Sequence, residues 1–216
     1  MRIAYVLLTC EKYSNTRVIW QLETSLSHVP REDIYYLGHT MDQAKRFFNW
    51  GAADDYNSLP VKMLHLFQNM SFDSYDWIFI ADDDTYIVTD RLPALLAPYD
   101  PTQYVSMGKV LDHIKDEYFE YYSGGAGTIL SRALFDKIQA HVRICPFPII
   151  HWCADICLGK WLIDVLSVPI QNNNDFHMEY YQPMADSLET AITFHHLKEW
   201  YQYDELKSLL YTLLDP

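Results

Sequence analysis

Residues 76–90 read DWIFIADDDTYIVTD, and this stretch decides the fold that we expect for the whole chain. Its residues 77–81 are five consecutive apolar side chains, a run that is short for a helix and typical of a buried strand. The run ends at three consecutive aspartates, Asp82, Asp83 and Asp84. Because successive side chains of an extended segment point to opposite faces, Asp82 and Asp84 should share one face and Asp83 should lie on the other.

The three aspartates indicate a cation site. Crowded carboxylates repel one another and raise each other's pKa unless a positive charge lies among them. Mg²⁺ and Mn²⁺ prefer hard oxygen ligands, and in enzymes they are often coordinated by protein carboxylates and substrate phosphates together. A solvated acidic turn is the alternative interpretation. The position of the triplet directly after a buried strand favours the metal site.

The composition is that of one folded domain over residues 1–216. Half of the 216 residues are hydrophobic and 15% are aromatic, which provides a core and argues against disorder. A chain of this size can bury roughly 70% of its unfolded surface. The net charge of −13 argues against broad contact with nucleic acid or with an anionic membrane surface.

The N-terminal segment and the cysteines bear on the cellular compartment. The apolar run at residues 2–9 is too short to span a bilayer, and no small-residue cleavage site follows it. Four irregularly spaced cysteines suit buried thiols in a reducing compartment. A zinc site from His151, Cys153 and Cys157 matches no common ligand spacing, so packing is the preferred interpretation. We therefore expect a cytoplasmic protein without a transmembrane segment, and a monomer is compatible with the sequence.

Alternating strand and helix patterns predict an α/β fold with a mainly parallel central sheet flanked by helices. Such sheets bind ligands beyond the carboxyl ends of their strands, where the aspartate triplet lies. The predicted strands are residues 2–9, 34–37, 77–81 and 192–195, with 104–110 and 118–122 as antiparallel additions. The predicted helices run from Ser14 or Asn15 to before Pro30, from Thr89 to before Pro98, and over residues 41–50, 60–70, 131–142, 155–165 and 204–214.

Glycines and a second acidic position follow the triplet along the chain. Gly124, Gly125 and Gly127 in the segment SGGAG let backbone approach a ligand closely, although a tight turn between strand and helix is the favoured interpretation of this segment taken alone. Asp155 begins a predicted helix, where it can cap free amides or act as a general base toward a hydroxyl.

Several side chains have a site interpretation and a structural one. One member of the pair His195 and His196 should face inward, as a packed histidine or as a further Mn²⁺ ligand. Arg17 and Lys62 can neutralise a diphosphate or serve as surface charges. Six Trp and 17 Tyr offer faces for sugar rings, although most should lie in the core.

Six short motifs stand in one order along most of the chain and give it a family resemblance. They are LT with Lys12 and Arg17, then LPVK (59–62), DW to ADDDTY (76–86), YSGGAG (122–127), DICLG (155–159) and FH (194–195). Together they resemble the fringe-like and core-1 β1,3-galactosyltransferase-like glycosyltransferases, family 31 of the inverting enzymes with a GT-A fold.

The resemblance implies a role for each matched position. Asp84 would ligate Mn²⁺ (or Mg²⁺) directly, with His195 as a further ligand and Asp82 close enough to serve the metal as well. Asp155 would be the catalytic base, and donor sugar and acceptor would meet at the glycine pair. The donor-binding residues would be Thr9, Arg17, Lys62, Asp82, Asp83, Gly124 and Gly125.

The implied activity is metal-dependent transfer of a sugar from a nucleotide sugar, a UDP-sugar above all, to a glycan hydroxyl. One displacement would invert the anomeric centre and give a β-linkage, β1,3 by the resemblance. Two features depart from the family: Ala154 replaces an acid that often precedes the base, and the membrane anchor, stem and cysteine framework of secretory-pathway members are missing from this sequence.

Three other functions stay open on the sequence. A metal-dependent aspartate phosphatase also uses a D-x-D signature, but it normally has Thr or Val where Tyr86 stands. A glycoside hydrolase would use Asp84 and Asp155 as its two carboxylates, without needing an acidic cluster. A catalytically inactive carbohydrate-binding module would bind sugars without a metal. The donor sugar and the acceptor are not defined by the sequence.

Overall fold

A seven-stranded sheet forms the centre of the molecule, in the order β10-β6-β9-β4-β1-β2-β3. This computed structural model describes residues 1–114, 117–144, 153–180 and 188–214. The strands of the sheet are β1 (Ile3–Leu8), β2 (Ile34–Leu37), β3 (Phe47–Phe48), β4 (Trp77–Asp82), β6 (Ser106–Gly108), β9 (Thr128–Ser131) and β10 (Gln171–Asn172).

Most neighbouring strands of this sheet are parallel. β1 pairs in parallel with β2 and β4, and β2 pairs in parallel with β3. β9 lies antiparallel between β4 and β6, while β10 is parallel to β6. The mainly parallel α/β sheet predicted from the sequence is therefore confirmed.

Two smaller sheets complete the strands. β5 (Tyr86–Ile87), β11 (Phe176–His177) and β12 (Thr193–Phe194) form one, in the order β11-β12-β5. β7 (Val110–Ile114) and β8 (Glu117–Tyr122) form an antiparallel pair. β12 pairs with β5, which lies just after the aspartate triplet, so the three-stranded sheet brings residues 193–194 close to that triplet.

Helices cover both faces of the central sheet. They are α1 (Arg17–Glu23), α2 (Leu59–Asn69), α3 (Leu92–Leu96), α4 (Arg132–Val142), α5 (Ala154–Lys160) and α6 (Trp200–Leu214), with a π-helical turn at Trp161–Val165 after α5. All six residues of β1 are buried, as expected for a strand that is covered on both sides. Ala4 and Val6 belong to the core under α2 and α4, whereas Tyr5 and Leu7 belong to the core under α1 and α3.

The helix predicted over residues 41–50 is wrong. Asp42 and Phe47 form an isolated bridge, and β3 follows at Phe47–Phe48. The Asp42 carboxylate accepts a hydrogen bond from the amide of Lys45 at 3.1 Å, and Arg46 adopts a positive φ of 64°. This local turn competes with a helix because an aspartate side chain satisfies backbone amides outside helical geometry.

The other differences concern the ends of elements. α1 ends at Glu23 rather than near Pro30, and the Thr24 and Ser27 hydroxyls donate to the carbonyls of Trp20 and Thr24 there. α6 begins at Trp200, before the predicted start. The predicted strand 104–110 contains β6 and only the first residue of β7, and the predicted strand 118–122 lies within β8. The short strands β5, β10 and β11 were not predicted, nor was β9, the antiparallel strand of the central sheet.

Candidate active site

The aspartate triplet leaves the central sheet beside the end of β1. β1 and β4 pair so that Leu8 lies opposite Asp82. The amide of Asp83 then donates to the Leu8 carbonyl at 3.0 Å, and Thr9 follows Leu8 at the same edge. The carboxyl ends of two parallel strands therefore place these polar side chains together.

Asp83 is held by Thr9 and Arg17, and Arg17 Nη1 also lies 3.4 Å from Asp84 Oδ2. The Thr9 hydroxyl donates to its Oδ2 at 2.7 Å, and Arg17 Nη1 lies 3.0 Å from its Oδ1. Burial raises the pKa of Asp83, while Thr9 and Arg17 act against that rise. Arg17 also stacks over the ring of Tyr13, with 3.7 Å from its guanidinium carbon to the ring centroid.

Asp82, Asp84 and His195 converge on one point. Their candidate ligand atoms all lie within 4.8 Å of one another. His195 Nε2 is 3.2 Å from Asp84 Oδ1 and 3.9 Å from Asp82 Oδ2. Its Nδ1 lies 2.9 Å from the carbonyl of Met178, a partner that favours a proton on Nδ1 and leaves Nε2 facing the carboxylates.

The two histidines are distinct in this arrangement. His195 faces the triplet, whereas His196 has 43% of its side chain exposed and contacts Glu179 at 2.6 Å. His196 adopts a positive φ of 65°, which turns the chain between them. The inward member of the pair is therefore His195.

The donor set fits a hard divalent cation, because it combines carboxylate oxygens with one imidazole nitrogen. Burial, and then the neighbouring charge of Asp84, raises the pKa of Asp82 to about 7. Burial alone would raise the pKa of Asp84, but His195, Lys198 and Arg17 outweigh it and hold that pKa well below its usual value. The hydrogen bond and charge of Asp84 raise the pKa of His195 against the effect of burial.

The zinc alternative has no comparable geometry. Within residues 1–114, 117–144, 153–180 and 188–214, the group that could hold a metal is Asp82, Asp84 and His195. His151 lies outside the described residues. Burial raises the pKa of the Cys153 thiol to about 12, so this cysteine is a protonated, partly buried thiol in the absence of a metal ion.

Gly125 allows the ring of His195 to lie directly against the backbone. A Cβ atom at this position would stand 2.1 Å from His195 Cε1 and 2.2 Å from its Nε2. The Thr85 hydroxyl donates to the Gly125 carbonyl at 2.6 Å and fixes the turn. A close approach of backbone to the metal cluster is thus the physical reason for a glycine here.

Asp155 lies in the first turn of α5 and contacts the glycine segment. Its Oδ2 accepts a hydrogen bond from the Gly124 amide at 3.0 Å, and its Oδ1 accepts one from Ile156 at 2.8 Å. The N-cap position itself is Cys153. Asp155 is therefore held by neighbouring amides, one of them from the glycine pair.

Two adjacent cavities meet at the metal cluster, and Asp82 and His195 line both. We call the first the basic cavity, for the three cations Arg17, Lys62 and Lys198 in its walls; it has about 400 Å³, and its walls also include Thr9 and five aspartates, Asp54, Asp55, Asp82, Asp83 and Asp84. We call the second the glycine cavity: it has about 250 Å³, and its walls include Gly124, Gly125, Cys153 and Asp155. Tyr56 lies between them and lines each one.

Lys62 is only 4% exposed and points its ammonium group toward the end of β1. Its Nζ donates to the Thr9 carbonyl at 2.8 Å and lies 3.3 Å from Asp54 Oδ1. The residue is therefore not a surface charge, and it stands in the wall of the basic cavity.

Three contacts to the triplet were not predicted from the sequence. The Lys198 ammonium contacts Asp84 Oδ2, and Tyr203 of α6 donates to the Asp83 carbonyl at 2.9 Å. Gln21 of α1 donates to the Asp82 carbonyl at 3.3 Å and to the neighbouring Thr85 carbonyl at 2.9 Å. Lys198 follows His195 by three residues in the segment HHLK, and this spacing alone does not mark the lysine as a site residue.

A family model described as Fringe-like matches residues 3–216. The chain belongs to this Fringe-like family. Among the relatives of this Fringe-like chain is human chondroitin sulfate glucuronyltransferase, 30% identical over 171 residues, which are 77% of the chain and 22% of the relative. Human beta-1,3-glucosyltransferase is 29% identical over 147 residues, covering 64% of the chain and 28% of the relative.

The name of a third relative also describes a β-linkage to position 3. Glycoprotein-N-acetylgalactosamine 3-beta-galactosyltransferase 1 of Xenopus laevis is 37% identical over 73 residues, covering 33% of the chain and 19% of the relative. This Fringe-like chain therefore spans between 19% and 28% of the length of these three relatives.

Solved glycosyltransferases share the fold. Galactosyltransferase LgtC, solved with donor and acceptor sugar analogs, aligns with a TM-score of 0.53 at 12% identity over 95% of this chain and 96% of its own. Apo GlyE of Streptococcus pneumoniae aligns with a TM-score of 0.53 at 10% identity over 99% of this chain and 63% of its own. The GT-A fold that the motifs implied is confirmed. No helix among the described residues has the length and apolar character needed to cross a bilayer.

Proposed function

We propose that this Fringe-like protein transfers a sugar from a UDP-sugar to a glycan hydroxyl, with a divalent metal, and inverts the anomeric centre to form a β1,3 linkage. One observation carries the proposal: the Asp82, Asp84 and His195 cluster lies where a basic cavity and a cavity lined by Asp155 meet. A donor diphosphate and an acceptor hydroxyl need these two environments side by side.

The basic cavity suits the nucleotide diphosphate. Arg17 and Lys62 stand in its wall with most of their side chains buried, and each is paired with an aspartate, Arg17 with Asp83 and Lys62 with Asp54. Arg17 is already oriented by Asp83, and Lys62 by the Thr9 carbonyl. Preoriented cations of this kind attract phosphate strongly, because little side-chain freedom is lost on binding.

Asp82, Asp84 and His195 would hold Mn²⁺ (or Mg²⁺), with carboxylate oxygens and His195 Nε2 as ligands. Such an ion, when bound, stabilises the negative charge that develops on the departing nucleoside diphosphate. Asp83 is turned away from the cluster toward Thr9 and Arg17. We therefore give Asp83 a donor-binding role and Asp82 and Asp84 the metal.

Asp155 would take the proton of the acceptor hydroxyl. It lines the glycine cavity, and the Gly124 amide holds its Oδ2 in place. A carboxylate fixed beside the meeting point of donor and acceptor can act as general base while the hydroxyl attacks from the face opposite the leaving group. An α-linked UDP-sugar would then give a β-linked product.

The names of the relatives support the linkage. Two of them describe β1,3 transfer in words, and a third is a glucuronyltransferase. The family match over residues 3–216 favours sugar transfer over the phosphatase and hydrolase alternatives. A binding module without turnover remains the competing hypothesis, and it requires sugar binding that is independent of metal.

The test is the anomeric configuration of the product. Purified protein is incubated with a panel of UDP-sugars, Mn²⁺ and β-linked or α-linked acceptor glycosides, and the product is analysed by proton NMR. We expect a β-anomeric coupling from an α-linked donor. An α-linked product would overturn inversion, and sugar binding without transfer or metal dependence would favour the binding module.

A further inference from the structure

We infer that Lys198 is a positioning residue that exchanges between Asp84 and the donor diphosphate, so that it competes with the metal ion and assists the nucleotide. This inference rests on the proposed function and deepens it. Its starting point is a contact: the Lys198 ammonium lies on Oδ2 of Asp84, whose carboxylate belongs to the metal cluster and whose Oδ1 faces His195 Nε2.

Both carboxylate oxygens of Asp84 have a positively charged or polar neighbour. His195 Nε2 lies 3.2 Å from Oδ1, while Arg17 Nη1 and Lys198 both face Oδ2, the former at 3.4 Å. A metal ion between Oδ1 and His195 Nε2 would bring two further positive charges close to both cations on Oδ2. Repulsion between the ion and these cations would favour displacement of the cation that is held less firmly.

The exposed fraction of each side chain decides which cation moves. Arg17 is 11% exposed and keeps a second partner in Asp83 Oδ1 at 3.0 Å. Lys198 is 50% exposed, and Asp84 is its ion-pair partner among the described residues. An exposed lysine loses little free energy when it leaves an ion pair, because water solvates its ammonium group.

The backbone around Lys198 is anchored while its side chain is free to swing. The amides of Lys198 and Glu199 both donate to Gln202 Oε1, at 2.6 and 3.0 Å. The amide of Leu197 donates to the Asp84 carbonyl at 3.0 Å. Only the four-carbon side chain must move, and it moves along the wall of the basic cavity that Arg17 and Lys62 share.

The inference predicts opposite signs for two binding equilibria. Lys198→Met removes the competing cation, so Mn²⁺ alone should bind about three- to tenfold more tightly. The same change removes a phosphate contact, so UDP in saturating Mn²⁺ should bind about tenfold more weakly. Inorganic pyrophosphate should lose a similar factor, because the contact is to phosphate and not to the base or ribose. Lys198→Arg should restore most of the UDP affinity.

The experiment is calorimetric titration of chelator-treated full chain with Mn²⁺, then with UDP or pyrophosphate in saturating Mn²⁺. Lys207→Met, on α6 and bonded to the Glu23 carbonyl, is the control for loss of one positive charge. If wild type binds Mn²⁺ and UDP but Lys198→Met behaves like Lys207→Met, or weakens both ligands, the inference is overturned and the proposed function stands. If wild type binds no Mn²⁺, both fail together.

Discussion

Among single residues, Asp155 is the one whose removal should separate chemistry from binding. Asp155→Asn keeps the shape of the side chain and can still meet the Gly124 amide through its carbonyl oxygen. Because an amide cannot accept the hydroxyl proton, we expect turnover to fall by about 10²- to 10⁴-fold. Affinity for UDP in Mn²⁺, measured by titration, should stay the same.

The matched control is Asp164→Asn, which removes the same charge from an exposed position in the π-helical turn after α5. It should leave both turnover and UDP affinity unchanged. Full activity in Asp155→Asn would remove this residue from the mechanism.

A substitution at Gly125 tests the metal cluster without replacing any of the proposed ligand residues. In Gly125→Ala the new Cβ would stand 2.1 Å from the His195 ring, so the ring must move away from Asp84. Displaced or misoriented ligands commonly cost about 10- to 100-fold in metal affinity, and we expect a loss of this size for Mn²⁺ by titration. In a His195→Ala background the same change should add nothing, because the clashing ring is gone. Unchanged Mn²⁺ affinity in Gly125→Ala would contradict the geometry.

The pKa of Asp82 gives the pH dependence of metal binding its sign. The pKa of Asp82 is raised from 3.8 to about 7 in the folded protein. Without metal, protonated Asp82 therefore stabilises the folded state fully below pH 3.8, and this contribution to the free energy of unfolding is lost as the pH rises through about 7. A metal ion must displace this proton, so Mn²⁺ affinity should rise by about tenfold per pH unit up to pH 7 and then level off. The raised pKa of His195 acts in the same direction.

Titration calorimetry of Mn²⁺ across this pH range measures the slope. Asp82→Asn should bind Mn²⁺ more weakly and with a flatter dependence on pH. An affinity that stays level or falls as pH rises would show that no proton is displaced from the cluster.

At the residue scale, the sequence predicted the positions of the site better than its contacts. Strand alternation predicted Asp82 and Asp84 together, and both do belong to the metal cluster, but β4 ends at Asp82 and a turn at Asp83 and Asp84 produces the arrangement. The contact of Lys198 could not be predicted, since a single lysine after a strand has no pattern to mark it. The choice between His195 and His196 depended on a positive φ that no residue type reveals.

At the scale of elements, Ser131 joins the start of α4 to the central sheet. Its hydroxyl accepts from the amides of Val105 and Leu134, at 3.0 and 3.3 Å, and donates to the Gln103 carbonyl at 2.6 Å. Ser131→Ala would remove the N-cap and leave the buried Val105 amide without that partner. We expect a loss of about 2–4 kcal/mol in the free energy of unfolding.

Urea denaturation measures this loss. Ser208→Ala, which removes an exposed hydroxyl bonded to the Asp204 carbonyl on α6, should change stability by less than about 0.5 kcal/mol. Equal stability of the two variants would show that Ser131 does not fasten α4 to the sheet.

Elements with a strong apolar pattern were predictable, and short ones were not. β1, β2, β4, α2 and α4 match the predictions from the sequence, because each has a continuous or periodic set of buried residues. β9 has four buried residues directly after the SGGAG segment, so its run is too short to separate from a turn and a helix start. The segment 41–50 contains good helix formers, but the turn at Asp42 and pairing of Phe47 with β2 override them.

For the whole molecule, the sheet order explains why residues far apart in sequence form one site. Thr9 and the aspartate triplet lie at the carboxyl ends of the adjacent parallel strands β1 and β4. β9 comes directly after the glycine segment and pairs antiparallel with β4, which places that segment at the same edge of the sheet. β12 pairs with β5, directly after the triplet, and so carries His195 to Asp84. The single-domain boundary, the cytoplasmic location and the monomeric state stay predictions.

The central claim is that a nucleotide sugar binds through a metal held by Asp84. The most direct test is a thermal-shift screen of UDP-sugars with and without Mn²⁺, on wild type and on Asp84→Ala. A ligand at a hundred times its Kd should stabilise the fold by about 2.7 kcal/mol, a rise of several degrees in Tm. We expect that rise for one donor, only with Mn²⁺ and only when Asp84 is present. A shift that persists without metal or in Asp84→Ala would contradict the claim.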